Sequence, residues 1–408
     1  MTGSAQLLCS DGDPALLAQQ LDAHWASGQT VAMATGLEHA TLRAALPLEL
    51  PKGLGPAVVL GTGGSSGRRR WCLQPLAHLE GAAAAAGQWL LALGLDPAGV
   101  ELFNPLPIHH ISGLMPLVRA RRWGAPLRWL SPASMRDPAR LAVEQPLPAG
   151  RRAVLAVVPI QLQRLIDHPA GLVWLRGFAL IWVGGAGLTP ALAEHCRREG
   201  LRLSPCYGST ETGAMVCALP PERFLAGVGG CGLALPHAAL QLEPQSGALQ
   251  IRACSLAAGF VEDGLWCPLS VDDGWWSSGD RAALSLEGLQ VLGRLDGAIN
   301  SGGETVFPEQ VEQRLRQLAR TEGVPLEDLL LVGCTDTLWG ERLVALVRPG
   351  EGAPIDRLAA LARRLPPSQR PQAWLSCPGL APTALGKWDR SRWRAWAESS
   401  LEGQNRSV

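Results

Sequence analysis

The residues of this 408-residue chain that could do chemistry fall into five short segments. The first is Thr62-Gly63-Gly64-Ser65-Ser66-Gly67-Arg68-Arg69-Arg70, directly after the apolar run 57–60. Its glycines let the backbone turn tightly and approach a ligand. Hydroxyls and backbone N–H groups suit phosphate oxygens, and the guanidiniums supply charge. No Gly-Lys-Ser/Thr closes the segment, so it is not a Walker A loop; it reads as a polyphosphate cradle or as a glycine-rich turn. The second, Tyr207-Gly208-Ser209-Thr210-Glu211, comes after a strand expected over 201–205. It offers a ring for a base and oxygens for phosphate and Mg²⁺, or is a polar loop capping the next segment. The third, Ser278-Gly279-Asp280, precedes an expected strand at 281–286. Its carboxylate could accept both hydroxyls of a ribose, or be an ordinary turn Asp. The fourth, from Gly293-Arg294-Leu295-Asp296 to Gly302-Gly303-Glu304, is dense in glycine. The fifth, 382–387, ends in Lys387.

The elements that must position these segments show in the hydrophobic pattern. Residues 14–46 have helical periodicity, and 81–93 form an alanine-rich helix. Strands are expected at 153–158 and 179–183, with helices at 159–168 and 190–199, the latter capped by Thr189 with Pro190 in its first turn. This alternation implies parallel α/β layers. After about residue 225 the strand-like runs 240–242, 248–253, 281–286 and 289–292 predict a small β-rich subdomain. Helix 309–318, strands 329–334 and 342–347 and helix 355–364 then come after a boundary near 294–297.

Composition narrows the class. Thirty-six basic residues balance 36 acidic ones, which excludes a nucleic-acid footprint. The ten cysteines include no Cys-x-x-Cys pair, so no zinc or redox motif appears, and the thiols fit a reducing compartment. The N-terminus has neither a basic start nor an apolar core, so no signal peptide is expected. The longest apolar tract, 81–95, contains Gln88 and is too short to span a bilayer. A cytoplasmic enzyme is expected.

In their order, the five segments resemble the motifs of the AMP-forming adenylating superfamily: acyl-CoA ligases, luciferases and peptide-synthetase adenylation domains. The resemblance covers residues 55–392. It implies a large N-terminal adenylating domain of layered α/β sheets with a small β-rich subdomain, 1–295, and a small mobile α+β C-terminal domain, 296–408. It implies ATP, Mg²⁺ and CoA. Thr62, Gly63, Gly64, Ser65, Ser66, Gly67 and Arg70 would cradle the β- and γ-phosphates. Gly185, Tyr207, Gly208 and Ser209 would line the nucleotide, Thr210 would meet the α-phosphate, and Glu211 would hold the metal. Asp280 and Arg294 would hold the ribose. Lys387 would bridge the reacting carboxylate and the α-phosphate. Asp296 would be the hinge, and Gly302 and Gly303 would line the pantetheine channel. The family loop usually ends Gly-x-Pro-Lys; here Arg70 keeps the positive charge. The segment before the loop is shorter than in most members.

Compactness, His109-His110-Ile111-Ser112-Gly113-Leu114 and Asn300-Ser301-Gly302-Gly303-Glu304-Thr305-Val306-Phe307-Pro308 resemble one branch, the 2-succinylbenzoate–CoA ligases of menaquinone and phylloquinone biosynthesis, in their shorter cyanobacterial style. That branch implies an acid with a second carboxylate, for which His110, Ser112, Gly184, Gly185 and Ala186 are candidates, His110 also serving the chemistry. The implied partners are a small-molecule carboxylic acid, ATP and CoA, with no nucleic acid and no membrane span, in a monomer or homodimer. Two other readings stand beside it: a CoA ligase for another aryl or fatty acid, and a non-catalytic nucleotide-binding scaffold.

Overall fold

Short apolar runs with no alternation become strands buried on both faces, and longer periodic runs become the helices that cover them. The computed structural model describes residues 5–62, 70–301, 304–336, 340–349, 355–383 and 386–405. In chain order the first block is β1 (Gln6–Cys9), α1 (Pro14–Ala26), β2 (Val31–Ala34), α2 (His39–Ala45), β3 (Ala57–Thr62), β4 (Arg70–Pro75) and α3 (Leu76–Ala92). The second is β5 (Val100–Asn104), α4 (Ile111–Trp123), β6 (Leu127–Trp129), α5 (Pro138–Glu144), β7 (Arg152–Val157), α6 (Pro159–Ile166), α7 (Pro169–Arg176), β8 (Leu180–Val183), α8 (Pro190–Arg198), β9 (Leu203–Ser209), β10 (Ala214–Ala218), α9 (Pro221–Leu225) and β11 (Leu233–Ala234). The third is all β: β12 (Ala238–Leu242), β13 (Ala248–Ala253), β14 (Gly259–Glu262), β15 (Leu265–Pro268), β16 (Trp276–Ser285) and β17 (Gly288–Arg294). The last is β18 (Ile299–Ser301), β19 (Glu304–Val306), α10 (Pro308–Thr321), β20 (Leu326–Asp336), β21 (Gly340–Pro349), α11 (Ile355–Ala362), β22 (Ala373–Ser376) and α12 (Arg390–Asn405).

The result is a mixed α/β protein with a large N-terminal part and a small C-terminal one. One sheet runs β1-β2-β3-β4-β14-β15, a second β11-β10-β9-β8-β7-β5-β6, and a third β12-β13-β16-β17. A fourth gathers β18 to β22. The alanine run has a clear packing reason. Ala82 and Ala83 join the core beneath the first sheet, and Ala86 and Leu90 join that of the second. Helix α3 is thus buried between two sheets, where small side chains let backbones approach. No helix among the described residues is long and apolar enough to cross a membrane.

Three expectations need correction. The helical run over 14–46 is interrupted by β2, whose four residues are all buried and lie parallel between β1 and β3. Burial on both faces removes the alternation that marks a strand. The strand expected at 201–205 is β9, which runs on through Tyr207 to Ser209, so that half of the motif is strand. Asp280 lies within β16 rather than before it. In addition, β14 and β15 leave the β-rich segment and extend the first sheet beside β4.

Candidate active site

The second sheet is parallel from β9 through β8, β7 and β5 to β6, with β10 antiparallel at one side. The carboxyl ends of such strands form the crevice where ligands bind. Tyr207 to Ser209 end β9, Gly184-Gly185-Ala186 come directly after β8, and His110 lies beyond β5 at the N-cap of α4.

The turn after β9 is built for rigidity. A Cβ on Gly208 would lie 1.8 Å from the Ala214 carbonyl oxygen, so only glycine fits. The Thr212 hydroxyl accepts from Ser209 N–H (2.8 Å) and donates to Ala214 O (2.6 Å), while Ser255 donates to Thr212 O (2.7 Å). Gln74, from β4, donates to Thr210 O at 2.6 Å, and Ala257 N–H donates to Glu211 O at 2.8 Å. The Glu211 carboxyl is thereby held nearly buried, 7% exposed, facing Arg70 at 3.5 Å. Arg70 in turn stacks on the Phe260 ring, 4.2 Å from its centroid. Thr62 and Arg70 pair across the β3–β4 ladder. Gly63, Gly64, Ser65, Ser66 and Gly67, like Gly302 and Gly303, lie outside the described residues.

Asp280 links β9 to the third sheet: its carboxylate accepts from the Tyr207 hydroxyl and, at 3.4 Å, from Arg294, its cross-strand partner on β17. Burial raises its pKa, opposed by Tyr207 and Arg294. Tyr207 also packs against the apolar cluster of Val216, Leu249 and Ile251. Arg294 is shared, donating to Ser278 O (3.0 Å) and to both Asp296 oxygens (3.0 and 2.9 Å).

Lys387 arrives from the far end of the chain. Its turn closes by Thr383 N–H to Lys387 O (2.8 Å) and Lys387 N–H to Thr383 Oγ1 (3.2 Å), with Gly386 at φ +73°. A Cβ on Gly386 would sit 3.4 Å from Ile160, so this turn packs against α6. Lys387 keeps solvent contact, yet its ammonium is crowded enough that desolvation lowers its pKa; Glu211 and Asp280 pull the other way and Arg294 adds to the lowering. Lys387 thus lies within electrostatic reach of Glu211, Asp280 and Arg294, with Arg70 beside Glu211. Glu211 and Asp280 are the carboxylates of this site that could hold a metal. Among the described residues no group of three His, Cys, Asp or Glu could hold a metal; a single carboxylate suits Mg²⁺ carried mainly by phosphate oxygens.

Sequence reasoning missed Arg119. It lies seven residues, two helical turns, beyond Ser112 on the same face of α4. The residue is 5% exposed, its Nε has no hydrogen-bond partner, and it forms no ion pair among the described residues. Its guanidinium stands 4.6 Å from the Trp182 ring centroid, and burial brings its pKa down to about 10, opposed only by the Cys206 thiol. Cys206 lies directly against Gly184, whose Cβ would fall 2.9 Å from its Sγ. Nearby His237 is held neutral: burial and then Arg119 lower its pKa to about 4, and neither ring nitrogen has a hydrogen-bond partner. A buried cation with unpartnered polar neighbours is an arrangement that an anion could neutralise. The only signal in the sequence is a charge amid Leu114, Met115, Leu117 and Val118.

The profile of the AMP-binding enzyme family matches residues 6–259. A 2-succinylbenzoate–CoA ligase from Listeria monocytogenes is 29% identical over 322 residues, covering 77% of this chain and 65% of that protein. The chain thus spans just under two thirds of that relative. The Salmonella typhimurium ligase of the same name is 31% identical over 341 residues, covering 82% and 68%. The Bacillus subtilis o-succinylbenzoate CoA synthetase structure, in complex with its acyl-adenylate intermediate OSB-AMP, shares the fold: TM-score 0.76, 19% identity, 96% of this chain and 88% of that one. The family match covers more than half of the chain and encloses the β3–β4 hairpin, the Gly184 turn and Glu211, and the chain belongs to the AMP-binding enzyme family.

Proposed function

We propose that this protein is an acid–thiol ligase that activates 2-succinylbenzoate with ATP and transfers the acyl group to CoA, a step of menaquinone or phylloquinone biosynthesis in the cytoplasm. The observation that carries the chemistry is the convergence of Lys387 with Glu211, Asp280 and Arg294. Arg119 narrows the acid: an uncompensated buried guanidinium suits a substrate with a second carboxylate.

In the first step a carboxylate oxygen of the acid attacks the α-phosphorus of ATP. The bond to the bridging β-phosphate oxygen breaks, and pyrophosphate leaves. Thr62 and Arg70, with Gly63, Gly64, Ser65, Ser66 and Gly67, hold the β- and γ-phosphates. Thr210 meets the α-phosphate, and the remaining lone pairs of the two Asp280 oxygens, each already engaged by Tyr207 or Arg294, accept the ribose hydroxyls. Magnesium held by Glu211 supplies charge neutralisation at the phosphates. The Lys387 ammonium binds the carboxylate and the α-phosphate oxygens, where charge develops in the transition state. Arg119 and His237 hold the ring carboxylate beneath Gly184, with His110 and Ser112 above it on α4.

In the second step the CoA thiol attacks the acyl carbon, the mixed-anhydride C–O bond breaks, AMP leaves and the thiol proton passes to solvent. Lys387 has no part in this step. The two chemistries need different neighbours, and we assign domains 1–295 and 296–408 with rotation about Asp296. That rotation removes Lys387 and brings up Gly302 and Gly303.

ATP–pyrophosphate exchange over a panel of acids tests this reading. 2-Succinylbenzoate is expected to exceed benzoate, cinnamate and medium-chain fatty acids. Equal or better exchange with a monocarboxylate refutes the substrate, and no exchange with any acid refutes the ligase.

A further inference from the structure

Arg390 opens α12, three residues after Lys387. Its Nη1 donates to Glu312 Oε1 (2.9 Å) and to Leu331 O (2.6 Å), its Nη2 to Glu312 Oε2 (3.2 Å), and its Nε lies 3.2 Å from Glu309 Oε1. Glu312 is 7% exposed and also accepts from the Leu331 N–H at 2.7 Å. One guanidinium therefore joins α12, α10 and β20. A two-toothed grip on one carboxylate with a third bond to another is geometry that lysine does not reproduce.

Glu309 also lies close to the hinge segment. A Cβ on Gly293 would lie 3.0 Å from its Oε2, and one on Gly297 3.9 Å from its Oε1. These glycines flank Arg294 to Asp296, the segment assigned as the hinge. The next residue, Gln310, donates to Leu292 O at 3.1 Å. The carboxylate that pairs with Arg390 thus also lies near the hinge backbone, its Oε2 without a hydrogen-bond partner among the described residues. On the other side, the Lys387 turn is closed within itself and leads straight into Arg390. Leu380 before it and Trp388 after it pack in the core under α12, and Arg390 adds a polar anchor in the C-terminal part.

We propose that Arg390 is a positioning residue for adenylation: through Glu309 and Glu312 it fixes the Lys387 turn relative to the hinge, so that the ammonium reaches the reacting oxygens. As a statement about the reaction this rests on the ligase reading above. Arg390 touches no substrate and acts only through Lys387.

The test compares Arg390→Met, Arg390→Lys, Lys387→Ala and the double variant Arg390→Met/Lys387→Ala. A misplaced catalytic group costs on the order of 10–100-fold. Single-turnover acyl-adenylate formation by Arg390→Met is expected to fall by about that much, in the rate at saturating ATP rather than in the KM for ATP. Thioester formation from supplied acyl-adenylate stays near that of the parent. The double variant adenylates no more slowly than Lys387→Ala alone, because the two residues act as one unit. Equal loss of both half-reactions, or additive losses in the double variant, overturns the proposal in favour of a merely structural ion cluster. If the parent forms no acyl-adenylate with any acid, the ligase reading fails by itself, and positioning is decided without substrate. Amide hydrogen exchange at Gly386 and Lys387 should then rise about tenfold or more in Arg390→Met and Arg390→Lys, while β20 and β21 keep their protection. Unchanged exchange at those two amides overturns the proposal.

Discussion

Arg119→Met should make the protein more stable and less selective at once. Burial brings the guanidinium to about 10, roughly two and a half pH units below an ordinary arginine. At about 1.4 kcal/mol for each unit that is a cost on the order of 3 kcal/mol to the unliganded fold. Because the folded pKa is the lowered one, the cost is present at every pH below about 10. The Trp182 ring at 4.6 Å returns roughly 1 kcal/mol through its π face. The net is about 2 kcal/mol that methionine, unbranched and of similar reach, should largely recover. The bound state reverses the sign. A buried ring carboxylate left without its cation costs about 3–4 kcal/mol, or about 10²–10³ in kcat/KM. Urea unfolding followed by tryptophan fluorescence reads the first quantity. Pyrophosphate release with 2-succinylbenzoate reads the second, beside 3-benzoylpropionate, the same acid without its ring carboxylate. The variant should unfold at higher urea, lose most activity on the dicarboxylate and keep its activity on the monocarboxylate. Lower stability with an unchanged ratio between the two acids would refute the reasoning and make Arg119 a structural cation.

The same electrostatics lead to two further outcomes. Desolvation lowers the Lys387 pKa and the ammonium is the active form, so kcat/KM for adenylation should decline on the alkaline side at a pH below that of an ordinary lysine. Lys387→Ala should remove that limb and cut adenylation by about 10²–10³, with thioester formation from acyl-adenylate spared; a limb shared by both half-reactions would point elsewhere. For His237 the folded chain refuses a proton until about pH 4, whereas the unfolded chain accepts one near 6.5. Stability should therefore fall as pH drops through this window, by up to about 3 kcal/mol. His237→Leu should flatten that part of the stability–pH curve, and an unchanged slope would clear His237 of the effect.

The parts of the fold legible in the sequence were those where pattern and local chemistry agree. Strand 153–158 and the helix after it became β7 and α6, and Thr189 does cap α8, accepting from Leu192 N–H at 3.3 Å. The elements missed had little pattern to show. In β2 burial on both faces leaves no alternation. The start of α12 reads as a charged surface, because Trp393 and Ala397 are its fully packed residues. The site was legible as motifs but not as a place. Arg70 and Glu211 face each other across 141 residues of sequence, and nothing local announces such a pairing. Arg119 was invisible for the opposite reason. An arginine in an apolar helix is unremarkable until a sheet closes over it, and only its burial without an ion-pair partner among the described residues marks it for the proposed role.

The sharing of Arg294 has a thermodynamic consequence. One guanidinium holds Asp280, at the proposed ribose position, and both oxygens of Asp296, at the proposed hinge. Nη1 serves Asp280 while Nε and Nη2 serve Asp296, so the two carboxylates are coupled through the placement of one rigid guanidinium. Any state of the hinge that turns Asp296 away leaves Arg294 freer to tighten on Asp280. By reciprocity, whatever a nucleotide draws from Asp280 must be returned as a bias on the hinge. Nucleotide affinity and domain orientation are then a single linked equilibrium. Its coupling constant would be measured equally well by titrating the nucleotide or by restraining the hinge.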